Sequence, residues 1–256
     1  MYPYRYYKHV VRVIAWTLIA TLSPRPAVAA SDDGPGRFSP AFSSGQLVVP
    51  AALVAYGTIE AIAASRVHLL NYAVGHGIIL HPPAKIRAND FTQYLPAVAV
   101  YALDLAGIKG KHSRAERNAL FAMSAFFTLA SVNALKYTTR EERPDRSARN
   151  SFPSGHTAVA FASAEFLWQE YKDVSIWYGI AGYIVATFTG ACRVYNNKHW
   201  VGDVLAGAGL GMLNTKLAYW LYPSIRNALE RKREPMIFIR PFFNGKQVGV
   251  SCSLRL

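Results

Sequence analysis

Three short segments in the second half of the chain contain the residue types that phosphate chemistry needs. The first holds Lys136 and Arg143, the second is Pro153-Ser154-Gly155-His156, and the third holds Arg193, His199 and Asp203, all within about 70 residues. Moving a phosphoryl group requires positive charge against its equatorial oxygens and a nucleophile in line with the leaving oxygen. The segments supply three cations, two histidines, a carboxylate and a Ser-Gly turn. This combination predicts one site that cleaves a phosphate ester without a metal ion.

Lys136, Arg143 and Arg193 are the candidate phosphate ligands. An arginine guanidinium binds two oxygens at once and stays protonated, and a lysine adds a mobile point charge. Six residues separate Lys136 from Arg143, a spacing that leads from a helix end into a loop and lets both cations converge. Each cation taken singly is also consistent with a surface residue, as the neighbouring Arg140 and Arg146 show.

Ser154 and Gly155 come directly before an apolar stretch that predicts a helix. A helix N-terminus offers free backbone N–H groups and the positive end of the helix dipole to an anion. Gly155 permits close backbone approach, and the Ser154 hydroxyl either donates to a phosphate oxygen or caps the helix. His156, on the first turn, would then lie beside the phosphate as the general acid for the leaving alkoxide.

His199 and Asp203 are four residues apart. On a helix they share a face, and the carboxylate can accept a hydrogen bond from one imidazole nitrogen. This bond fixes the tautomer and leaves the other nitrogen free as a nucleophile. An ordinary pair on a helix surface is the alternative. A metal site is disfavoured because no further His or carboxylate has suitable spacing.

Helices are the elements that must position these residues. Apolar stretches with helical texture recur at 47–64, 93–109, 117–135, 157–170, 176–191 and 200–222. They predict an all-α fold, a six-helix bundle. The last twenty residues alternate with a period of about two, which predicts a short β-like hairpin in the C-terminal tail.

The chain of 256 residues is expected to hold one folded domain between two tails. We divide it into a signal peptide or N-terminal anchor at 1–30, a flexible leader at 31–46, a helical domain with the site at 47–225, and a basic segment with the tail at 226–256. The signal peptide is predicted because basic residues precede an apolar run and small residues follow it. An amphipathic first helix is the alternative.

Composition limits the partners. Lys and Arg total 28 against 15 Asp and Glu, a formal charge of +13, so anionic partners are expected. Nucleic acid is disfavoured because 52% of the residues are hydrophobic and the basic residues are scattered. A membrane surface or bilayer fits better. Cys192 and Cys252 are too few for a disulfide framework, and the oligomeric state is left open.

The sequence does not decide how many helices cross a membrane. A 17-residue helix at 93–109 extends about 26 Å, short of the ~30 Å hydrocarbon core. Several apolar stretches also carry charges, which are Glu60, Asp104 and Glu165. After a signal peptide, crossings by 47–64 and 93–109 would leave Lys109 outside, against the positive-inside rule. Three explanations remain open. One early stretch does not span the membrane, or the N-terminus is not translocated, or the bundle lies in the periplasm and only associates with the membrane surface.

The three segments resemble the signature of the type 2 phosphatidic acid phosphatase superfamily. The shared pattern is Lys-x6-Arg-Pro, then Pro-Ser-Gly-His, then Arg-x5-His-x3-Asp. The superfamily includes lipid phosphatases, bacterial class A acid phosphatases and vanadium haloperoxidases, and the segments around His156 and His199 are similar to its bacterial, envelope-associated branch.

The family usually has Ser-Arg where this chain has Cys192-Arg193. A thiol is a weaker donor than a hydroxyl, so one polar contact is expected to be lost or replaced.

The resemblance implies a role for each site residue. His199, oriented by Asp203, would form a phosphohistidine, and His156 would protonate the leaving group and later activate water. The phosphate would be bound by the remaining residues, Lys136, Arg143, Ser154, Gly155 and Arg193. No metal and no cofactor are implied.

We therefore expect a phosphatase that acts on a phosphorylated membrane lipid, such as lipid A, an undecaprenyl diphosphate or a phosphatidylglycerol phosphate. We expect it in the inner membrane of a bacterial cell envelope, with the site facing the periplasm. The alternatives are a soluble periplasmic acid phosphatase of broad specificity, a vanadate-dependent haloperoxidase, and an envelope protein that keeps the scaffold without activity.

Overall fold

A computed structural model of the chain describes residues 45–63, 86–231, 236–243 and 248–255. The predicted signal peptide or anchor at 1–30 lies outside the described residues, as does the leader up to residue 44. The chain divides after Trp220 into two compact units. All the site residues predicted from the sequence belong to the first unit.

Seven helices occupy the described residues. They are α1 (Gly45–Ala63), α2 (Asn89–Thr92), α3 (Leu95–Leu105), α4 (Arg114–Thr139), α5 (Gly155–Tyr171), α6 (Ile176–Tyr195) and α7 (Val201–Arg231). Six of them correspond to the six predicted apolar stretches, and α2 is one additional turn. The predicted all-α bundle is therefore confirmed.

The C-terminal unit contains a two-stranded antiparallel sheet. Strand β1 (Met236–Phe243) pairs with β2 (Val248–Arg255), so that Met236 lies opposite Arg255 and Phe243 opposite Val248. The alternation with a period of two predicted this hairpin correctly.

Serine residues cap three of the helices that carry site residues. Ser113 begins α4 with a capping box, in which its side chain accepts from the Glu116 N–H and the Glu116 side chain accepts from the Ser113 N–H. Ser154 and Ser175 cap α5 and α6, each accepting from a backbone N–H of the first turn. These side chains satisfy N–H groups that have no partner inside the helix, and so fix where each helix begins.

Helix α5 is buried along most of its length and packs its backbone directly on α7. Two glycines of α7 make this approach possible. A Cβ on Gly207 would lie 2.6 Å from the Ser154 carbonyl oxygen, and one on Gly211 would lie 2.2 Å from the Ala158 carbonyl oxygen. Any larger residue would push the two helices apart. The contact places the N-terminus of α5 beside the first turns of α7.

Asp104 and Glu165, two of the charged residues within the apolar stretches, form ion pairs between helices. Glu165 of α5 lies 2.6 Å from the Lys216 ammonium of α7. Asp104 of α3 lies 2.7 Å from Arg114 and 3.2 Å from Arg117, both on α4. At these positions the charged side chains form ion pairs that join helices.

Two of the described helices are long and apolar enough to cross a membrane. They are α1, over Gly45–Ile62, and α4, over Arg114–Thr139. Helix α3 has 11 residues and extends about 17 Å, roughly half of a hydrocarbon core. One of the two early stretches predicted from the sequence is therefore too short to span as a straight helix.

Candidate active site

The loop between α4 and α5 is tied to the segment before α7. Lys198 Nζ lies 2.5 Å from Asp145 Oδ2, and the Asp145 N–H donates to the Asn197 carbonyl oxygen at 3.2 Å. Burial raises the pKa of Asp145, but hydrogen bonds, first among them that from Lys198, outweigh burial and lower the pKa to about 2. The Asp145 carboxylate is therefore ionised at neutral pH. It holds the loop with Arg143 against the segment with His199.

His199 lies just before α7 and is only 2% exposed. Its Nδ1 is 2.8 Å from the Ser151 carbonyl oxygen and 3.5 Å from Asp203 Oδ2. A carbonyl oxygen only accepts hydrogen bonds, so Nδ1 carries the proton and Nε2 keeps its electron pair. Burial lowers the pKa of His199 to about 4, although Asp203 opposes this effect. The imidazole is therefore neutral at neutral pH.

Asp203 is buried on the first turn of α7, and its shortest contacts are with groups other than His199. Its Oδ2 accepts from the Ser151 hydroxyl at 2.5 Å and from the Trp200 N–H at 2.9 Å. Its backbone carbonyl accepts from the Ser154 N–H at 3.0 Å. The sequence predicted a direct hydrogen bond from the imidazole to this carboxylate. In the structure Ser151 makes the shorter contact to each of them.

Ser154 and Gly155 form the N-terminus of α5, as predicted. Ser154 is fully buried, and its Oγ accepts from the Thr157 N–H at 3.5 Å and lies 2.8 Å from Thr157 Oγ1. Of the two roles predicted for this hydroxyl, the structure shows the capping role. A Cβ on Gly155 would lie 3.9 Å from Lys136 Cε, so the lysine side chain runs beside the helix N-terminus. Lys136 Nζ donates to the Asn150 carbonyl oxygen at 2.5 Å.

Arg143 and Arg193 each bury a guanidinium nitrogen without an acceptor. The Nε atoms of both residues are shielded from solvent and make no hydrogen bond within the described part of the chain. Burial lowers the pKa of Arg193, and the charge of Arg143 lowers it further, so the two guanidinium groups lie within electrostatic reach of each other. A buried N–H without a partner is costly. A phosphate oxygen is an acceptor that guanidinium groups favour.

His156 lies on the first turn of α5, with 34% of its side chain exposed. Its Nε2 is 3.2 Å from Asp90 Oδ1. Burial lowers the pKa of His156, and the charges of Arg193 and Lys136 also lower it, whereas Asp90 raises it. Arg193 and Lys136 also lower the pKa of His199. The same two cations therefore act on both histidines.

Two residues that the sequence reasoning missed contact the histidines. Ser151 binds His199 through its backbone carbonyl, which every residue type offers, so no sequence signal marks this role. Asp90 lies 66 residues before His156 and outside all three segments. Only the packing of α2 brings it to the site.

The structure also bears on the metal and cysteine predictions. No group of three or more His, Cys, Asp or Glu side chains is arranged to hold a metal ion among the residues that the structure describes. Cys192, at the position where the resemblance expects serine, is a free thiol buried in α6 and 3% exposed.

Comparison with known proteins agrees with the resemblance drawn from the three segments. Residues 118–226 match the model of the PAP2 superfamily, and this range contains every site residue predicted from the sequence. The lipid A 1-phosphatase of Porphyromonas gingivalis is 42% identical over 137 residues, which are 53% of this chain. The chain spans 31% of the length of that relative.

Two solved structures are similar to this chain at low identity. LpxE of Aquifex aeolicus is 22% identical, with a TM-score of 0.40 over 62% of this chain and 90% of its own. A PAP2-type phosphatidylglycerolphosphate phosphatase of Bacillus subtilis is 21% identical, with a TM-score of 0.41 over 72% of this chain and 99% of its own.

Proposed function

Because residues 118–226 match the model of the PAP2 superfamily, we propose that this protein is a phosphatase of that superfamily, which hydrolyses the phosphate ester or diphosphate of a membrane lipid. One observation carries the proposal. The buried, neutral His199 keeps a free Nε2 electron pair, the charge of Arg193 acts on this imidazole, and the buried Nε atoms of Arg193 and Arg143 lack an acceptor in the described residues. A phosphoryl group bound there would meet both a nucleophile and the cations that its oxygens need.

In the first step, Nε2 of His199 attacks phosphorus in line with the leaving oxygen. A P–N bond forms as the P–O bond to the lipid alkoxide breaks, and His156 gives its proton to that alkoxide. The Ser151 carbonyl and the Asp203 carboxylate, which lie 2.8 and 3.5 Å from Nδ1, offset the positive charge that develops on the imidazole. The equatorial oxygens are held by three cations, Lys136, Arg143 and Arg193.

In the second step, water attacks the phosphohistidine. His156, now neutral, takes a proton from the water as the new P–O bond forms and the P–N bond breaks. Inorganic phosphate leaves, His199 returns to its neutral form, and His156 is protonated again. The proposal assigns both steps to side chains and uses neither a metal nor a cofactor.

Three observations support a lipid as the substrate. Helices α1 and α4 are long and apolar enough to cross a membrane. Apolar side chains are exposed next to Asp90, the partner of His156: Phe91, Tyr94 and Leu95 are 79%, 52% and 50% exposed. The similar protein of Porphyromonas gingivalis is a lipid A 1-phosphatase. We therefore place lipid A ahead of undecaprenyl diphosphate and phosphatidylglycerol phosphate as the substrate.

Helix α4 supports a site on the periplasmic face of the inner membrane. Its 26 residues extend about 39 Å, so the loops at its two ends would lie on opposite sides of a ~30 Å core. The loop before α4 contains Lys109 and Lys111, and the positive-inside rule favours the cytoplasm for it. The loop with Arg143 would then face the periplasm. A crossing by α1 and none by α3 is consistent with this orientation.

The test is phosphate release by the purified chain in detergent, from each of the three lipids, with and without a metal chelator. We expect release from at least one lipid, no effect of the chelator, and no release by His199→Ala. Hydrolysis of soluble phosphate esters without release from any lipid would contradict the proposal and favour a soluble acid phosphatase. Oxidation of bromide that depends on added vanadate would indicate a haloperoxidase.

A further inference from the structure

We propose that Asp90 is a positioning residue, which holds His156 in the orientation and protonation state that it needs as the general acid. The proposal rests on the proposed function, since it concerns a step of that reaction. Asp90 lies outside the three segments and outside the range that matches the family model, which begins at residue 118.

The contact with Asp90 determines which nitrogen of His156 can act as the general acid. Asp90 Oδ1 lies 3.2 Å from Nε2 of His156, and the same oxygen accepts from Asn89 Nδ2 at 3.1 Å. A carboxylate only accepts hydrogen bonds, so Nε2 carries a proton. In the imidazolium form, Nδ1 is then the nitrogen left to give its proton to the leaving oxygen. The carboxylate orients the acid as it orients the base in hydrolase triads.

The short helix that carries Asp90 is anchored to the site by side chains. Thr92 Oγ1 lies 2.8 Å from Thr189 Oγ1 of α6. The Asn196 side chain, between Arg193 and His199 in the chain, accepts from the Ile86 N–H at 3.0 Å and donates to the Ile86 carbonyl at 2.8 Å. Asp90 is therefore placed by contacts with the segment that carries the other site residues.

Asn89 adds a further link in this anchoring. It is 1% exposed, and its Oδ1 accepts from Asn196 Nδ2 at 3.4 Å. Its Nδ2 then binds Asp90. A chain of side-chain hydrogen bonds thus runs from the end of α6 to the carboxylate that faces His156.

The charges around His156 show why a carboxylate is useful there. The charges of Arg193 on α6 and Lys136 on α4 act on His156, and Asp90 on α2 contacts it. Burial and the two cations favour the neutral imidazole, which cannot act as an acid. Asp90 opposes them and favours the imidazolium. Without Asp90, His156 would lose its proton at a lower pH.

The experiment compares Asp90→Asn, Asp90→Glu and Asp173→Asn. Asp173 is a matched control, because it is also an exposed carboxylate with one cationic partner, Lys111 at 3.6 Å. The dependence of kcat/KM on pH is measured with the lipid that the wild type hydrolyses. It is measured again with an aryl phosphate, whose leaving group needs little protonation.

For Asp90→Asn we expect kcat/KM on the lipid to fall about tenfold at pH 8, part of the factor that a general acid supplies. The alkaline limb of the kcat/KM profile should move to lower pH by about 0.5 to 1 unit. The shift is modest because solvent screens the charge of a half-exposed carboxylate. The aryl phosphate should show a smaller defect. Asp90→Glu should keep most of the activity and Asp173→Asn all of it.

A profile of Asp90→Asn that superimposes on the wild type would overturn the proposal. So would a rise in kcat/KM, which would mean that Asp90 only repels the anionic substrate. A second measurement needs no substrate: the NMR titration of the His156 imidazole should shift to lower pH in Asp90→Asn. An unshifted titration would overturn the inference even if the variant were inactive in the kinetic assays. A wild-type protein inactive on every lipid would count against the proposed function alone.

Discussion

The backbone carbonyl of Ser151 holds the imidazole of His199. The carbonyl oxygen accepts from Nδ1 at 2.8 Å, whereas the nearer oxygen of Asp203 lies 3.5 Å from the same nitrogen. The tautomer that leaves Nε2 free therefore depends on a main-chain group, which no side-chain substitution removes. Asp203 supplies negative charge and binds the Ser151 hydroxyl.

The first prediction concerns Asp203→Asn. This variant should lower kcat by about 10- to 100-fold, far less than His199→Ala, because the Ser151 carbonyl keeps the productive tautomer. The measurement is steady-state hydrolysis of the lipid substrate. Ser151→Ala is the matched control, since it keeps the carbonyl and removes only the hydroxyl, and it should cost about tenfold or less. A loss in Asp203→Asn equal to that in His199→Ala would show that the carboxylate sets the tautomer.

The second prediction concerns the two buried guanidinium groups. Arg143→Lys and Arg193→Lys keep the charge but remove the Nε donor and the planar fork, so kcat/KM should fall about 10²- to 10³-fold in each. Arg146→Lys, in the same loop, is the control, because its side chain is exposed. It should behave as the wild type. Full activity in both test variants would mean that the orphaned Nε atoms do not bind the phosphoryl group.

The third prediction is a pH dependence of stability that arises from His199. Its pKa is about 4 in the folded chain, against an ordinary value of 6.5. Between these values the unfolded chain binds more protons, so stability falls as the pH falls from 6.5 to 4, by up to about 3 kcal/mol. Above pH 6.5 the imidazole is neutral in both states and makes no contribution to the pH dependence of stability.

The test is the free energy of unfolding of two proteins, the wild type and His199→Gln, measured in detergent between pH 7 and 4. Glu141 has an opposite effect, because burial and Asp203 raise its pKa, so its contribution falls as the pH rises above 4.5. This contribution is common to both proteins. The difference between them isolates His199, and parallel curves for the two proteins would contradict the prediction.

The fourth prediction tests the backbone contact between α5 and α7. In Gly211→Ala the new Cβ would lie 2.2 Å from the Ala158 carbonyl oxygen, so the free energy of unfolding should fall by about 1–3 kcal/mol. In Gly155→Ala the Cβ would lie 3.6 Å from Val132 Cγ1, an ordinary contact. Its Tm should stay within about 2 °C of the wild type. Equal Tm values for the two variants would argue against the close contact.

The sequence predicted the parts of the site that depend on residue type and short spacing. Helices α1 and α3 to α7 follow from the six apolar stretches, and the capping position of Ser154 follows from its place before such a stretch. The closeness of His199 and Asp203 follows from their four-residue separation. Each of these inferences uses only local geometry, which periodicity and spacing determine.

The contacts that the sequence did not predict depend on packing between distant segments. Ser151 acts through a backbone group, which carries no residue signature. Asp90 reaches His156 because Thr92 and Asn196 anchor its helix. Both anchoring contacts join segments that are far apart in the sequence, so no local motif predicts them. Charges in apolar stretches, such as Glu165, were ambiguous because their partners lie on other helices.

The most direct test of the account is to trap the phosphohistidine. The chain is mixed with a lipid that carries radiolabelled phosphate, quenched in alkali within one turnover, and digested for mass spectrometry. We predict a phosphoryl group on His199 that is stable in alkali and lost in acid, and no labelled protein in His199→Ala. Turnover of the lipid by the wild type without any label on the protein, or with the label on another residue, would contradict the account.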